Sequence, residues 1–180
     1  MKRKMKRIIF ASSILLQTSA YAQSPPSYGN FVYIDQIGNS NTTTVEQYDN
    51  EKKQAAVVNN GDNNDFYILQ QGTGNHIAAI TPSSGAANAT NSNNNFSINQ
   101  SGAGNHTASI LMMDTTANSN NTASITQSGG IGANKQFTLQ LQGSGIGATV
   151  IQDNPTTPDS ASMSIQCVSP PCTGYSYTKH

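Results

Sequence analysis

The feature that most constrains this chain is a short motif: Gln or Asn, then Gly two residues later and Asn five residues later. In its clearest copy, Gln70, Gly72 and Asn75 lie between two alternating apolar runs, in residues 66–81. Self-similarity at a short period is typical of repeat architectures, in which each unit buries its apolar face against the next. The sequence therefore predicts a stack of similar units. The other copies are Gln36, Gly38 and Asn41; Asn59, Gly61 and Asn64; and Gln100, Gly102 and Asn105.

Each unit is predicted to be a strand, a tight turn and a second strand. Side chains alternate across a strand, so Phe66, Ile68 and Gln70 share one face. The glycine that follows tolerates the positive φ that a tight reversal of the chain requires. We assign this turn role to Gly38, Gly61, Gly72, Gly102 and Gly129.

Stacking explains how such units bury amide side chains. Paired strands of neighbouring rungs lie about 4.8 Å apart, close enough for Gln or Asn amides to hydrogen-bond along the stack. Buried donors and acceptors are then satisfied by the adjacent rungs, which removes most of the cost of burial. Glutamines recur on alternate strands, so two-stranded rungs place them in one inward column. The predicted amide ladder comprises Gln36, Asn41, Gln47, Asn59, Asn64, Gln70, Asn75, Gln100, Asn105, Gln127 and Gln152.

The apolar positions of the same strands are predicted to form the core. In residues 137–140 and 161–166 the apolar residues and the glutamine have opposite parity, so each strand buries one set or the other. We place the apolar set inside in both strands, including Met163. Which residues face inward stays open in two other strands, for Ile77 against Ala78 and Ile80, and for Thr107 against Ala108 and Ile110. The predicted core comprises Val32, Ile34, Val45, Val57, Phe66, Ile68, Phe96, Ile98, Ile125, Phe137, Leu139, Val150 and Ile165.

The first part of the chain has the pattern of an export signal. Residues 1–7 carry five of the nine Lys and Arg, residues 8–16 are largely apolar, and residues 20–22 read Ala-Tyr-Ala. These features predict a secretory signal peptide that is cleaved after Ala22. A membrane-spanning helix needs roughly 20 apolar residues, so we expect no stable membrane anchor.

Removal of the signal peptide changes the charge of the chain. Four lysines then remain against nine acidic residues, and nine minus four gives a net charge of about minus five. A basic face for nucleic acid is therefore not expected. The dense Asn, Gln, Ser, Thr and Gly content by itself permits disorder, but the in-phase repeat argues for an ordered stack.

The two cysteines, Cys167 and Cys172, lie in the segment CVSPPC. In an exported chain, an even pair predicts a disulfide that closes a short loop. A zinc site usually takes four ligands, and there is no second cysteine pair. Bonding within one chain and bonding between chains both stay open.

Turn-rich segments lengthen some units, as in residues 82–95 and 114–121, because loops at the edge of a stack tolerate insertions. The predicted fold is an all-β β-solenoid of about five two-stranded rungs that stack into cross-β fibres. The expected organisation is a signal peptide over 1–22, an extended leader over 23–30, the repeat solenoid over 31–167 and a C-terminal tail over 168–180.

The repeat resembles the curlin repeat of secreted bacterial amyloid fibres. In that pattern an apolar residue and Gln are followed by Gly at plus two, Asn at plus five, a small or apolar residue at plus seven and Gln at plus eleven. The resemblance covers residues 31–167. It departs from the family pattern in its long turns, its cysteine-containing tail, and Asn59 and Thr81 at glutamine positions, which leaves major and minor or nucleating roles open. The matching positions are Gln36, Gly38, Asn41, Thr43 and Gln47; Gln70, Gly72 and Asn75; Gln100, Gly102 and Asn105; and Asn121, Ala123 and Gln127.

This resemblance implies a β-solenoid subunit that passes through the periplasm and an outer-membrane export machinery. It implies polymerisation with itself and with other curli-type subunits into extracellular fimbriae or pili of the biofilm matrix, which serve cell adhesion. The repeat itself leads to a similar expectation. A stack of rungs exposes unpaired backbone groups on its end strands, and open ends favour head-to-tail filaments.

Catalytic and ligand-binding functions find little support. We identify no nucleophile, base and orienting acid, and we expect no enzyme activity, cofactor or metal. His76 and His106 follow matching turns, and we interpret them as outward turn residues in one exposed column rather than as a metal site. The alternative function is a secreted, non-polymerising β-solenoid that binds a surface or glycan through a flat outer face.

Overall fold

The structure is a computed structural model that describes residues 7–11, 29–49, 52–81, 90–113 and 117–180. The predicted cleavage site at Ala22 and almost all of the predicted leader lie outside these residues.

All of the regular secondary structure in the described ranges is β-strand, which confirms the all-β prediction. Alternating apolar and small polar residues form the strands, and Gly, Asn and Ser occupy most of the turns between them. The strands are β1 (Arg7–Ala11), β2 (Phe31–Ile37), β3 (Thr42–Gln47), β4 (Lys53–Asn60), β5 (Asp65–Gln70), β6 (His76–Thr81), β7 (Thr90–Ser92), β8 (Asn95–Gly102), β9 (His106–Met112), β10 (Ala117–Ser119), β11 (Thr122–Gly129), β12 (Lys135–Gln142), β13 (Ile146–Gln152), β14 (Asp159–Gln166) and β15 (Cys172–Lys179).

The strands stack into two facing parallel sheets, so the chain is a β-solenoid of about five turns. The first sheet has the order β1-β3-β5-β8-β11-β13-β15, and the second has the order β2-β4-β6-β9-β12-β14. Each chain passage through both sheets makes one rung, from β2 and β3 at the N-terminal end to β14 and β15 at the C-terminal end. Only β1 pairs antiparallel among the described strands, and it lies outside β3 at the N-terminal edge of the first sheet.

Residues of like position stack in register, so the core is built from columns of side chains. Phe66 and Phe96 stack in the first sheet with ring centroids 5.8 Å apart. In the rung of Phe96 the second sheet contributes Ala78, whereas Phe137 of the second sheet shares its rung with Ala148 of the first. Each of these two rungs therefore buries a single phenylalanine ring, and close packing of the core depends on such a balance of side-chain volumes.

The predicted parity of the later strands agrees with the structure. Phe137, Leu139 and Ile165 are buried, and Met163 is partly buried against the core. In β6 the buried apolar residues are Ala78 and Ile80, so Ile77 faces outward and is 43% exposed. This choice buries two apolar side chains, Ala78 and Ile80, whereas the opposite choice would bury Ile77 and Ala79 and expose Ile80. In β9, Thr107 likewise faces outward, between His106 and Ala108, which are buried.

The turn-rich insertions contribute structure of their own. Their C-terminal parts form β7 and β10, which pair in parallel as a small third sheet. Asn91 and Asn118 in these strands are fully buried. Their main-chain carbonyls accept hydrogen bonds from the side-chain amides of Asn64 and Asn94, at 2.9 and 3.1 Å. The insertions therefore close one corner of two rungs.

The expected tail over 168–180 is wrong, because β15 continues the solenoid. It pairs in parallel with β13, with one β-bulge near its start. Tyr177 is the register partner of Val150, and its ring packs on Phe137 with centroids 5.0 Å apart. The sequence motif does not extend this far. An aromatic side chain instead supplies the apolar contact that holds the last strand.

Candidate self-assembly site

Five glutamines of the first sheet form one hydrogen-bonded column. Nε2 of each of the first four donates to Oε1 of the glutamine on the next rung, at 2.8, 3.0, 3.0 and 2.9 Å in chain order. The last four of these side chains are fully buried. The inward column predicted from the repeat is therefore present. Its members are Gln47, Gln70, Gln100, Gln127 and Gln152.

The second amide hydrogen of each glutamine crosses the rung to the other sheet. Gln70 Nε2 donates to the Gln54 carbonyl, and Gln100 Nε2 donates to the Ile77 carbonyl, both at 2.9 Å. Each buried amide thus has partners along the stack and across it. The column joins successive rungs and also joins the two sheets.

A second buried column consists of asparagines at the corner before the first sheet. Each Oδ1 accepts a hydrogen bond from the main-chain N–H of the asparagine on the next rung. Asn64 N donates to Asn41 Oδ1 and Asn94 N donates to Asn64 Oδ1, both at 3.0 Å. Asn121 continues this column. Asn94 and Asn121 are absent from the predicted ladder, because neither follows a glutamine by five residues. The signal that could have found them is an Asn directly before each strand, at the end of an Asn-rich run.

Asn75 and Asn105 are exposed, so their predicted inward position is wrong. They form an outer ladder, in which Asn75 N donates to Asn105 Oδ1 at 3.0 Å and Asn105 N donates to Asn134 Oδ1 at 2.8 Å. The backbone of the preceding residue explains the difference. Each inward Asn follows a left-handed residue, which reverses the parity of the corner. These residues are Ser40, Asn63, Asn93 and Asn120, with φ of 56°, 55°, 54° and 55°.

Gln36 and Asn59 belong to the second sheet and lie outside the glutamine column. They are register partners, and Gln36 Nε2 donates to Thr43 Oγ1 across the first rung. Asn59 Oδ1 accepts a hydrogen bond from Asn64 Nδ2 at 3.2 Å. Met112 occupies the corresponding inward position in β9, so this column changes from amides to apolar residues along the stack.

The turn glycines follow the prediction at four of five positions. Gly38, Gly61, Gly72 and Gly102 all have positive φ. A Cβ on Gly72, where φ is 99°, would lie 2.2 Å from the carbonyl oxygen of Gly102, so the stacked turns also require glycine for their close approach. The prediction is wrong at Gly129, which is buried at the end of β11 and, unlike Gly102, does not have a positive φ.

His76 and His106 are buried, so their predicted outward position is wrong. They follow the exposed Asn75 and Asn105, and strand alternation therefore turns them inward. Their rings stack with centroids 4.9 Å apart and planes 4° apart. They lie in one buried column at the start of the strands of the second sheet, which comprises Lys53, His76, His106, Lys135 and Asp159.

The contacts of this column hold both histidines neutral. Nε2 of His76 donates to the Gln71 carbonyl and Nε2 of His106 donates to the Ser101 carbonyl, each at 2.9 Å. Burial, followed by the neighbouring His106, lowers the pKa of His76 from 6.5 to about 4. Burial also lowers the pKa of His106. Nδ1 of His106 accepts the main-chain N–H of Lys135, so protonation of that nitrogen would break a hydrogen bond.

The buried lysines at each side of the histidines are held by main-chain oxygens. Lys53 Nζ donates to the Gly72 carbonyl at 2.7 Å, and Lys135 Nζ donates to the Thr157 carbonyl at 2.5 Å. Burial lowers the pKa of Lys135. In the described ranges, no three His, Cys, Asp or Glu side chains are grouped to hold a metal ion. The described residues also contain no helix long and apolar enough to cross a membrane.

The glutamine column ends in a polar cluster on the last rung. Gln152 Nε2 donates to Asp159 Oδ2 at 2.6 Å, and Tyr177 Oη donates to the same oxygen at 3.1 Å. Lys179 Nζ pairs with Asp159 Oδ1 at 3.3 Å. Burial raises the pKa of Asp159, but the hydrogen bonds from Gln152, Tyr177 and Lys179 outweigh it and lower the pKa below its usual range.

Cys167 and Cys172 are joined by a disulfide within the chain, as the sequence predicts. The bond closes the loop between β14 and β15. We expect alkylation of the unreduced protein to leave both cysteines unmodified, and alkylation after reduction to add two groups by mass spectrometry. Such a short loop restrains the unfolded chain little, so reduction is expected to lower the free energy of unfolding by about 2 kcal/mol. Two thiols that react freely before reduction would contradict this assignment.

These features define the class of protein: a parallel, two-sheet β-solenoid with internal Gln and Asn ladders and a disulfide at its C-terminal rung. Comparison with protein-family models, curated proteins and solved structures finds no match to this chain.

Proposed function

We propose that this chain is a structural subunit of an extracellular, curli-like amyloid fibre. In this proposal the signal peptide directs export, and an outer-membrane machinery carries the mature chain, which begins at Gln23, to the cell surface. There the subunits stack rung on rung, with copies of themselves and with other curli-type subunits, into a fimbrium that serves adhesion and the biofilm matrix. The role is structural and requires no catalytic residue.

The observation that carries the proposal is the open-ended stack of in-register parallel rungs. The outer edges of β14 and β15 bear no further strand within the described ranges. Strand addition to such an edge extends both the backbone hydrogen bonds and the side-chain ladders without any new type of contact. A contact between the two different ends of one molecule does not close on itself, and it therefore produces filaments.

A second candidate function is a soluble solenoid that binds a surface or glycan. The observation that favours it is a column of hydroxyl side chains on the outer face of the first sheet. Ser97, Ser124, Thr149 and Ser176 are in register on neighbouring strands and lie outward by alternation. Such a column offers regularly spaced donors and acceptors to a repeating ligand.

Fibre formation distinguishes the two functions. We expect the chain from Gln23 onward, diluted out of denaturant, to form fibres that raise thioflavin fluorescence and are visible by electron microscopy. Paired strands lie about 4.8 Å apart, which is the repeat of cross-β structure, so assembly of these rungs requires docking rather than refolding. A chain that stays monomeric and forms no fibres after prolonged incubation would contradict the polymer proposal and favour the surface-binding solenoid.

A further inference from the structure

The two ends of the solenoid present different edges. At the N-terminal end, β2 has no outer neighbour among the described strands, and β3 has only β1. In the proposed mature chain β1 is removed, so both strands of the first rung become available for pairing. At the C-terminal end, the bulge in β15 lies before Tyr175, and residues 175–179 run regularly. Both ends thus offer regular strand edges.

The glutamine ladder also has a direction. Each Nε2 donates toward the C-terminal end, beginning with Gln47. By the repeat of the ladder, Gln47 Oε1 faces the position of a preceding rung, and none of the described residues donates to it. At the opposite end, Lys179 is the register partner of Gln152, and its side chain is 50% exposed. An ammonium donor and an unused acceptor therefore occupy the two ends of one column.

We propose that copies of this chain join head to tail, with β15 and β14 of one copy pairing in parallel with β3 and β2 of the next. In this joint Lys179 Nζ donates to Gln47 Oε1 of the next copy and so continues the ladder. The inference rests on the proposed fibre function, and it adds the register of the contact between subunits.

The apolar columns continue across this joint. Continuation of the column of Val150 places Tyr177 against Val45 of the next copy. In the second sheet, Met163 meets Ile34 in the same way. Tyr177, Met163 and Ile34 are only partly buried in the single chain, so the joint removes apolar surface from water.

The charges on the two ends are compatible with the same register. The outer face of the N-terminal rung carries two carboxylates, and each lies opposite a hydroxyl. Continuation of the columns places Glu46 beside Thr178 and Asp35 beside Ser164 of the neighbouring copy. No like-charged side chains therefore meet in these two outer columns, and each hydroxyl is able to donate to its carboxylate.

The joint would bury the Lys179 ammonium, and two other lysine ammonium groups are already buried within this chain. Lys53 and Lys135 are fully buried between rungs, where main-chain carbonyls accept their ammonium hydrogens. Lys179 at the joint has Asp159 as its counter-ion and gains Gln47 Oε1 as an acceptor. Its environment there is thus at least as well satisfied as that of the internal lysines.

Disulfide crosslinking tests the register directly. We expect fibres of the chain from Gln23 onward that carry Glu46→Cys and Thr178→Cys to form reductant-sensitive multimers on mild oxidation. Within one molecule these positions are five rungs apart, roughly 24 Å, which is beyond the reach of a disulfide. The matched control pairs Thr178→Cys with Thr44→Cys, which lies on the same face but about 7 Å along the strand from position 46. We expect at least tenfold more crosslinking for the matched pair.

A charge exchange supplies a second test of the same joint. Lys179→Glu places a second carboxylate beside Asp159, so we expect it to lengthen the half-time of fibre formation at least tenfold. Addition of Gln47→Lys to that variant restores an opposite charge across the joint and is expected to recover most of the rate. Lys52→Glu makes the same charge change at an exposed position directly before β4, and we expect it to alter the half-time less than twofold.

The outcomes separate the joint from the proposed function. Fibres that crosslink equally in the matched and mismatched pairs would overturn the joint and leave the fibre function standing. Absence of fibres from both the wild-type chain and a Lys179→Gln variant would contradict the fibre function itself. A wild-type chain that stays monomeric, beside a Lys179→Gln variant that polymerises, would identify the last rung as a cap and overturn the joint.

Discussion

Replacement of Gln100 by alanine is expected to lower the free energy of unfolding by about 2 to 6 kcal/mol. Gln100 lies at the centre of the glutamine column, where it accepts from Gln70 Nε2 and donates to Gln127 Oε1, both at 3.0 Å. The substitution leaves the Gln70 donor and the Gln127 acceptor without their partners, and it also removes the hydrogen bond to the Ile77 carbonyl. Each orphaned group costs about 1 to 3 kcal/mol. Denaturant unfolding of freshly diluted monomer gives the difference, and the half-time of fibre formation is expected to lengthen strongly.

Gln71→Ala is the matched control for this substitution. Gln71 is exposed, and its main-chain groups carry its hydrogen bonds to the neighbouring rung and to His76. Its side chain is therefore expected to contribute less than about 0.5 kcal/mol. A generic Asn- and Gln-rich aggregate would respond alike to the two changes, because they alter composition equally. Equal unfolding midpoints for Gln100→Ala and Gln71→Ala would falsify the role of the inward ladder.

Acidification from pH 7 to pH 4 is expected to destabilise the fold by roughly 3 kcal/mol through His76 alone, with His106 acting in the same direction. The unfolded histidine has a pKa of 6.5, whereas burial and the neighbouring His106 lower the pKa of the folded His76 to about 4. Between these values the unfolded chain binds a proton that the folded chain does not. The contribution is therefore fully present above pH 6.5 and is lost as the pH falls toward 4.

The physical cause of this sensitivity is the column in which the rings lie. His76 has Lys53 on one neighbouring strand and His106 on the other, and His106 faces Lys135. The only carboxylate among the described residues of this column is Asp159, at its far end, beside Lys135 rather than beside a histidine. A proton on either ring would place a cation among cations in a buried site, so the fold disfavours it.

Two variants isolate the histidine contribution from the titration of the carboxylates. His76→Gln with His106→Gln replaces both rings by neutral side chains that are able to hydrogen-bond to each other. We expect this double variant to lose less stability than the wild-type chain between pH 7 and pH 4, by at least about 3 kcal/mol, measured by denaturant unfolding. His180→Gln is the control, since His180 is exposed and pairs with Asp153. The same pH dependence in the wild-type chain and the double variant would remove the histidines as its source.

Local strand geometry explains which parts of this fold could be predicted. Alternation of side chains assigns Gln70, Gln100 and Ile98 to one face of their strands without any knowledge of their neighbours. The burial of a repeated amide favours a stack, because a matching amide on each neighbouring rung supplies a donor and an acceptor at the right spacing. The glutamine column, most of the core and the solenoid class follow from these two properties of the sequence.

The corners were decided by backbone conformation, which the motif does not encode. The offset from Gln or Asn to the corner Asn is five residues at both Asn64 and Asn75, yet only Asn64 lies inside. A left-handed residue precedes Asn64, whereas none of the four such corner residues precedes Asn75. The left-handed residue at the first corner changes which alternate residues face inward after it. Without it, Asn75 lies outside and His76 lies in the core.

The sequence by itself determined the repeat, the inward glutamines and the cysteine pair, because each depends on local alternation or on residue type. Only the tertiary structure decided the position of the residues whose environment is supplied by other rungs. Lys53 and His76 are tolerated inside because carbonyl oxygens of the neighbouring turn segments accept hydrogen bonds from Lys53 Nζ and His76 Nε2. The last strand, β15, lacks the motif and is held by Tyr177 and the Asp159 cluster. Such contacts join residues that are far apart in the chain, so no local sequence pattern predicts them.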